Sequence, residues 1–196
     1  MDKWSIKISD KILLTIARLS KTEKYKGYDK VIMAMKDIVK EIPNVKYILG
    51  GSGDDLDRIK SIIKETNLDG KVILTGYIPE EELVDYYNLC DVFVMPSKGE
   101  GFGIVFLEAL ACGRPVIASN KDASPEVLLN GELGLLVDPD DTKEIAKSII
   151  KILNNNVRQE LLDGDYLRSQ ALIHYGYFQF KIRVSRILST LFNELK

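Results

Sequence analysis

The sequence predicts a doubly wound α/β domain, with a parallel sheet followed by carboxyl-terminal helices. Three observations predict this class. Short apolar runs alternate with amphipathic ones along most of the chain, which is typical of repeated strand–helix units. Several of the short runs are apolar on consecutive residues, as strands buried on both faces are. After residue 156 the strand pattern stops, and two helical stretches follow.

Six apolar runs predict the strands of the sheet. In chain order they cover residues 12–17, 45–50, 71–76, 91–96, 115–119 and 134–138. A doubly wound sheet binds its ligands beyond the carboxyl ends of the strands, at the point where the strand order reverses. We therefore expect functional side chains in the loops that follow these six runs.

Helices are predicted between the strands and in the tail, over residues 28–41, 54–66, 103–112, 141–153, 157–173 and 178–195. Pro79, followed by three glutamates, predicts the first turn of a further helix, because proline and acidic residues favour that end. Gly113 closes the helix over 103–112. Ser124, as a side-chain cap before Pro125, predicts the start of another short helix.

Length and composition indicate one globular domain over residues 1–196, with a core over 11–153 and a helical tail over 157–196. Hydrophobic residues make up 45% of the chain and charged residues 29%, which is ordinary for a well-cored protein. The formal net charge of -2 argues against an extended basic face for nucleic acid.

The sequence also predicts a cytoplasmic protein. Cys90 and Cys112 fit neither a disulfide framework nor a metal-ligand spacing, which favours reduced thiols. Residues 1–10 are polar and lack the apolar core of a signal peptide. The longest apolar runs are too short to cross a bilayer. Peripheral contact with a membrane surface stays open.

The stretch after the fourth predicted strand reads GEGFGIVFLEALACGRPVIAS and carries two glutamates. Gly101 and Gly103 allow backbone amides to approach a ligand closely, and the helix start favours phosphate oxygens. Glu100 suits a neutral polyol, whose hydroxyls donate to a carboxylate. Glu108 lies among apolar residues and needs a partner, for which a ribose diol would serve. A helix-capping acid and a salt-bridged acid explain the spacing equally well.

Three other loops are candidates for the same site. Arg18 and Lys26 flank the loop after the first strand, where two cations would neutralise a diphosphate. A solvated basic loop is an equal alternative there. Gly51 belongs to a glycine cluster after the second strand, which we interpret as a tight turn lining the pocket. Tyr77 or Ile78 would flank a flat base, although an ordinary turn explains them as well.

The ordered set of motifs resembles a known family. The set reads ARL…KG, GGSG, LTGYIPEEEL, Asp91 with the following strand, EGFGIVFLEALACGRPVIAS, SPEVL and GLLVDPDD. In this order it resembles the C-terminal half of the family-four retaining glycosyltransferases, whose GT-B fold has two Rossmann-like domains. The resemblance covers about residues 11–152, and its central feature is the E-x7-E pair of Glu100 and Glu108.

The resemblance implies roles for these residues. Arg18 and Lys26 would hold the diphosphate of a nucleotide-sugar donor as it leaves. Glu100 would bind the transferred sugar, and Glu108 the ribose hydroxyls. The backbone amides that reach the sugar or the phosphate would be those of Phe102, Gly103 and Ile104. Family members need no divalent cation and no other cofactor, so we expect none here.

The resemblance also implies a missing half. Family enzymes carry an N-terminal domain that binds the acceptor, whereas here the family pattern begins almost at once. We expect that domain to be absent from this chain and supplied in cis by a longer enzyme, or else by a partner subunit. The final helices of the family pack against it.

The expected function is transfer of a hexose-type sugar, for example from a UDP-sugar, to a glycan, lipid or small-molecule acceptor. Polysaccharide biosynthesis is one such setting. The alternative is a non-catalytic sugar-nucleotide-binding or assembly module. An epimerase of related fold would need more catalytic acids and histidines than this chain has, since His174 is its only histidine.

Overall fold

The computed structural model describes residues 4–194, with side chains as far as residue 191. Six strands form one sheet: β1 (Lys11–Ile16), β2 (Val45–Gly50), β3 (Val72–Gly76), β4 (Val92–Met95), β5 (Val116–Ser119) and β6 (Leu135–Val137). Their order is β3-β2-β1-β4-β5-β6, and every neighbouring pair runs parallel. The predicted doubly wound parallel sheet is confirmed.

Eight α-helices follow or connect the strands: α1 (Tyr28–Glu41), α2 (Leu56–Glu65), α3 (Glu80–Leu89), α4 (Ile104–Ala111), α5 (Ser124–Val127), α6 (Thr142–Leu153), α7 (Gly164–Tyr175) and α8 (Tyr177–Glu194), counted over residues 4–194. The predicted helix over 178–195 corresponds to α8 as far as residue 194. Its last residue lies outside the described part of the chain. Within residues 4–194, no helix is both long enough and apolar enough to cross a bilayer.

Helices cover both faces of the sheet. Successive side chains of a strand point to opposite faces, so both sets are buried. Leu13 of β1 belongs to a core that α1, α2 and α6 cover. Its neighbours Ile12 and Leu14 belong to a second core, covered by α3, α4, α5 and α7. This two-sided burial is the physical reason for the consecutive apolar residues of the predicted strands.

Two local predictions are wrong. The helix predicted over 157–173 begins only at Gly164, because the Asp163 carboxylate accepts hydrogen bonds from the backbone N–H groups two and three residues further on and caps α7 there. Ser124 does not cap α5 with its side chain, since Ala123 occupies the N-cap position. The Ser124 hydroxyl is buried and lacks a hydrogen-bond partner among the described residues.

Candidate functional site

The candidate site lies at the carboxyl ends of β1 and β4, where the strand order reverses. The chain leaves β1 toward β2 on one side and leaves β4 toward β5 on the other. The loops after these two strands therefore diverge and open a crevice, as in other sheets of this type. Every residue that we singled out as a candidate lies after β1, β2, β3 or β4.

A cleft of about 460 Å³ opens at this edge of the sheet. It brings together five of the predicted residues, from four different segments: Arg18, Gly51, Tyr77, Ile78 and Glu108. Glu80, at the start of α3, also lines the cleft, and sequence reasoning missed it. The cleft therefore combines an arginine, two carboxylates and an aromatic ring.

Gly51 allows the loops after β1 and β2 to meet. Its φ is +136°, and a Cβ atom built on it would lie 1.8 Å from the carbonyl oxygen of Ala17. Only glycine fits this backbone conformation and this approach. Where a tight turn was expected, Gly51 instead forms an isolated β-bridge with Gly76 and lines one wall of the cleft.

Lys26 and Glu100 form an ion pair between the loops after β1 and β4. The Lys26 side chain is 18% exposed and the Glu100 side chain 11%, so the pair is largely shielded from water. The two predicted site residues thus lie together, although 74 positions separate them in sequence. In this state each charge is neutralised by the other.

The Glu100 backbone is held by the loop after β5. Its N–H donates to Oδ2 of Asp122 at 3.1 Å, and its carbonyl accepts from the Ala123 N–H at 3.2 Å. Sequence reasoning missed Asp122, because no local pattern marks an aspartate that contacts a loop 22 positions away.

Arg18 is the exposed cation of the site. Its side chain is 74% exposed, and its guanidinium contacts the Glu23 carboxylate at 3.0 Å. An exposed pair of this kind is worth no more than about 1 kcal/mol, so an anionic ligand could compete for the arginine. Glu23 was not predicted as its partner.

Glu108 has a hydrogen-bond partner within the chain, so its need for a partner does not by itself require a ligand, and its contact with a ribose stays a prediction. The Tyr87 hydroxyl donates to Oε2 of Glu108 at 2.6 Å. Burial, and then the hydrogen bond to this carboxylate, hold the pKa of Tyr87 far above its usual range. The tyrosine therefore stays a donor, and it orients a half-buried carboxylate that also lines the cleft.

Burial varies along the glycine-rich loop before α4. Gly103 is buried at the N-cap of α4 with a φ of +82°, and a Cβ atom there would collide with the Phe106 ring. Gly101, by contrast, lies in open space, with nothing within 4 Å of a Cβ built on it. Phe102 is 41% exposed and Ile104 65% exposed. The first N–H groups of α4 have no acceptor within the helix, so this loop can donate to an anion.

The two thiols of the chain are poorly suited to nucleophilic chemistry. Burial raises the pKa of the Cys90 thiol to about 12, and the pKa of half-buried Cys112 is raised for the same reason. Both thiols are therefore poor nucleophiles near neutral pH. Across residues 4–194, no three His, Cys, Asp or Glu side chains cluster so as to hold a metal ion. Independence of a divalent cation stays a prediction.

Comparison with protein families gives one match over most of the chain. A family model described as glycosyl transferases group 1 matches residues 1–164. A GDP-mannose-dependent alpha-(1-6)-phosphatidylinositol monomannoside mannosyltransferase from Mycolicibacterium smegmatis is 33% identical over 178 residues, which cover 87% of this chain and 46% of that protein. A D-inositol 3-phosphate glycosyltransferase from Corynebacterium jeikeium is 32% identical over 80% of this chain and 39% of its own length.

Solved structures agree on the fold. A sucrose-phosphate synthase from Thermosynechococcus elongatus superposes with a TM-score of 0.82 and 29% identity, over 98% of this chain and 48% of that one. Anabaena HepE, solved in complex with UDP-glucose, superposes with a TM-score of 0.80 and 22% identity, over 93% of this chain and 49% of that one. The chain thus spans about half the length of the proteins it matches, or less.

Proposed function

This chain belongs to the group 1 family of glycosyl transferases, and on that premise we propose that it forms the donor-binding half of a retaining glycosyltransferase. The donor is a nucleotide-diphosphate sugar of the hexose class, and transfer needs no divalent cation. The observation that carries the proposal is the arrangement at the β1–β4 reversal. There the loops after β1 and β4 carry the shielded Lys26–Glu100 pair. The loop after β1 also carries Arg18, which lines the cleft together with Glu108 of α4.

Each group has a task that its chemistry suits. The Glu108 carboxylate, oriented by Tyr87, accepts hydrogen bonds from the ribose hydroxyls. Exposed Arg18 binds the diphosphate, and its weak contact with Glu23 is given up. Tyr77, 74% exposed at the cleft, provides a flat face for the base.

The ion pair between Lys26 and Glu100 breaks when the donor binds, and each side chain then contacts the donor. Lys26 turns to the diphosphate, and Glu100 accepts hydrogen bonds from the hydroxyls of the sugar. Transfer breaks the bond between the anomeric carbon and the diphosphate oxygen and forms a bond from that carbon to a hydroxyl oxygen of the acceptor. Negative charge develops on the departing diphosphate, which takes up the proton that the acceptor hydroxyl loses. Arg18 and Lys26, once they have turned to the diphosphate, stabilise this charge, and electrostatic stabilisation of this kind lowers the barrier by several kcal/mol.

The exposed face of α8 supports the proposal of a second, acceptor-binding half. Six apolar side chains at helical spacing are 36–74% exposed: Tyr177, Phe180, Val184, Ile187, Leu188 and Leu191. A stripe of this size is unusual on a free surface. Because the chain spans about half the length of its relatives, we assign the stripe to an N-terminal half, in cis or on a partner subunit.

Hydrogen exchange on a chimera tests this assignment. The N-terminal half of the Mycolicibacterium smegmatis relative is fused upstream of this chain, and the amide protection of α8 is compared with that in the chain alone. We expect protection to rise in the chimera and to be lost with Ile187→Lys, but not with Ser185→Lys on the same helix. Equal exchange of α8 in both proteins would contradict the assignment, and protection by anionic vesicles alone would favour a membrane surface instead.

Ligand-induced thermal stabilisation tests the donor site directly. UDP, GDP, ADP and their sugar conjugates are added to the chain in the presence of a chelator. A nucleotide at 100 times its dissociation constant stabilises by about 2.7 kcal/mol, which is a shift of about 5–10 °C in a domain of this size. The responding nucleotide identifies the base.

Two variants make the result specific. Glu108→Ala should abolish the shift, whereas Glu65→Ala, an exposed acid at the far end of α2, should leave it unchanged. No shift with any nucleotide at millimolar concentration would contradict the donor site. Binding of a nucleotide sugar without transfer, even in the chimera, would favour the non-catalytic module.

A further inference from the structure

Asp122 joins the loop after β5 to the loop after β4. Its Oδ2 accepts the Glu100 N–H at 3.1 Å, and its Oδ1 accepts the Ser124 N–H at 2.9 Å. The next residue, Ala123, donates its N–H to the Glu100 carbonyl at 3.2 Å. Both backbone polar groups of Glu100 are therefore bonded to the same two-residue segment.

The loop that carries Asp122 is itself anchored. The Asn120 N–H donates to the Val137 carbonyl at 2.9 Å, which extends the pairing of β5 with β6. The Lys121 ammonium contacts the Asp138 carboxylate at 2.7 Å. Asp122 thus extends from a segment that the edge of the sheet holds in place.

Glu100, in contrast, lies in a glycine-flanked loop. On its N-terminal side the Lys98 N–H donates to the Tyr25 carbonyl at 2.8 Å, and the Gly99 N–H donates to Oγ of Ser97 at 3.2 Å. Glycines stand on both sides of it, and Gly101 has no packing neighbour within 4 Å of a Cβ position. Glycine restricts the backbone less than any other residue. Lys26 holds the side chain of Glu100 in the free protein, but the proposed mechanism moves Lys26 to the diphosphate. The bonds from residues 122 and 123 remain.

We propose that Asp122 is a positioning residue, which holds the Glu100 backbone so that its carboxylate meets the sugar of the donor. This inference rests on the proposed function. Asp122 touches no substrate. It sets how much more tightly the site binds a nucleotide-diphosphate sugar than the free nucleoside diphosphate, because only the former makes use of Glu100.

Asp122→Asn separates this role from a merely structural one. Asparagine forms the turn to Ser124 as well as aspartate does, since one side-chain oxygen suffices. It cannot accept from the Glu100 N–H as well, because its second position is an NH2 group, which only donates. A residue needed only for the turn would therefore tolerate asparagine.

The experiment has two readouts on the whole chain. Amide hydrogen exchange of Glu100 in the ligand-free protein reports the bond itself. Calorimetric titration with the responding nucleoside diphosphate, and with its sugar conjugate, reports the preference for the sugar. For Asp122→Asn we expect Glu100 exchange to accelerate about tenfold or more, and the preference for the conjugate to fall by a similar factor, as loss of a hydrogen bond to a charged acceptor implies.

Two further variants distinguish failure of the Asp122 role from failure of the Glu100 role. Ser124→Ala removes a neighbouring hydroxyl that bonds to no described residue, so both readouts should stay at wild-type values. Glu100→Gln should lower the preference for the conjugate. If Glu100→Gln leaves that preference unchanged, the proposed role of Glu100 fails. If Glu100→Gln lowers it and Asp122→Asn does not, the positioning role alone is overturned, whatever the exchange rate shows.

Discussion

Removal of Lys26 tests whether the shielded ion pair holds the site together. Lys26→Met keeps most of the length of the side chain and deletes the charge, so the Glu100 carboxylate, 11% exposed, stays without its partner. Breaking a fully buried pair costs about 3–5 kcal/mol. Because residual water reaches both side chains here, we expect a loss of about 2 kcal/mol, at the strength of one hydrogen bond between charged groups.

The assay is a double-mutant cycle followed by thermal and urea unfolding. Lys26→Met should lower the melting temperature by about 4–8 °C in a domain of this size. Lys26→Met combined with Glu100→Gln should lose at least about 1 kcal/mol less than the sum of the two single variants, because the second change removes the uncompensated charge.

An exposed pair provides the matched control. Lys40 contacts Asp37 at 2.7 Å, but the two side chains are 72% and 52% exposed. Lys40→Met should therefore change stability by less than about 0.5 kcal/mol. A stabilising role for the Lys26–Glu100 pair is ruled out if Lys26→Met changes stability as little as Lys40→Met does, or if the effects of the Lys26 and Glu100 variants simply add.

Three further predictions concern the elements around the site. Gly51→Ala should destabilise by more than about 2 kcal/mol in urea unfolding, because the new Cβ would meet the Ala17 carbonyl at a positive φ. Ser124→Ala should be neutral or slightly stabilising in the same assay, because it removes a buried hydroxyl that bonds to no described residue. The Arg58 guanidinium, and then the Tyr28 hydroxyl, lower the pKa of Asp55 from its ordinary 3.8, so its contribution to stability is present above pH 3.8 and is lost as the pH falls below it. Asp55→Asn should therefore flatten the dependence of melting temperature on pH in that acidic range.

Each of these predictions has a definite contrary result. A Gly51→Ala protein with wild-type stability would mean that the loops after β1 and β2 do not approach as closely as the structure shows. A clear loss of stability in Ser124→Ala would reveal a partner for its hydroxyl. An Asp55→Asn protein that unfolds in acid along the wild-type curve would mean that the bond to Arg58 is not formed.

Much of the fold could be predicted because its signals are local. The six strands are predicted within one residue at every end, since burial on both faces demands runs of consecutive apolar residues. The helices from α1 to α6 follow from amphipathic spacing and from proline or glycine at their ends. The prediction was wrong where one capping side chain decides the boundary, as Asp163 does for α7.

The site could be predicted only as a set of residues. The motifs singled out Lys26, Glu100 and Glu108, but not the contacts among them. Lys26 meets Glu100 across 74 positions, and Glu108 meets Tyr87 across 21. No periodicity in the sequence encodes such distances, so neither of these two pairings could be predicted.

By itself, the sequence determined the class of fold, the loops that carry polar side chains and the family to which the chain belongs. These depend on burial and backbone hydrogen bonding over short stretches, and on an ordered set of motifs. The tertiary structure decided which charges neutralise one another and that Asp122 reaches Glu100. The physical reason is the strand order. Only when β4 lies beside β1 rather than beside β3 do the loops after β1, β4 and β5 come close enough for their side chains to bond.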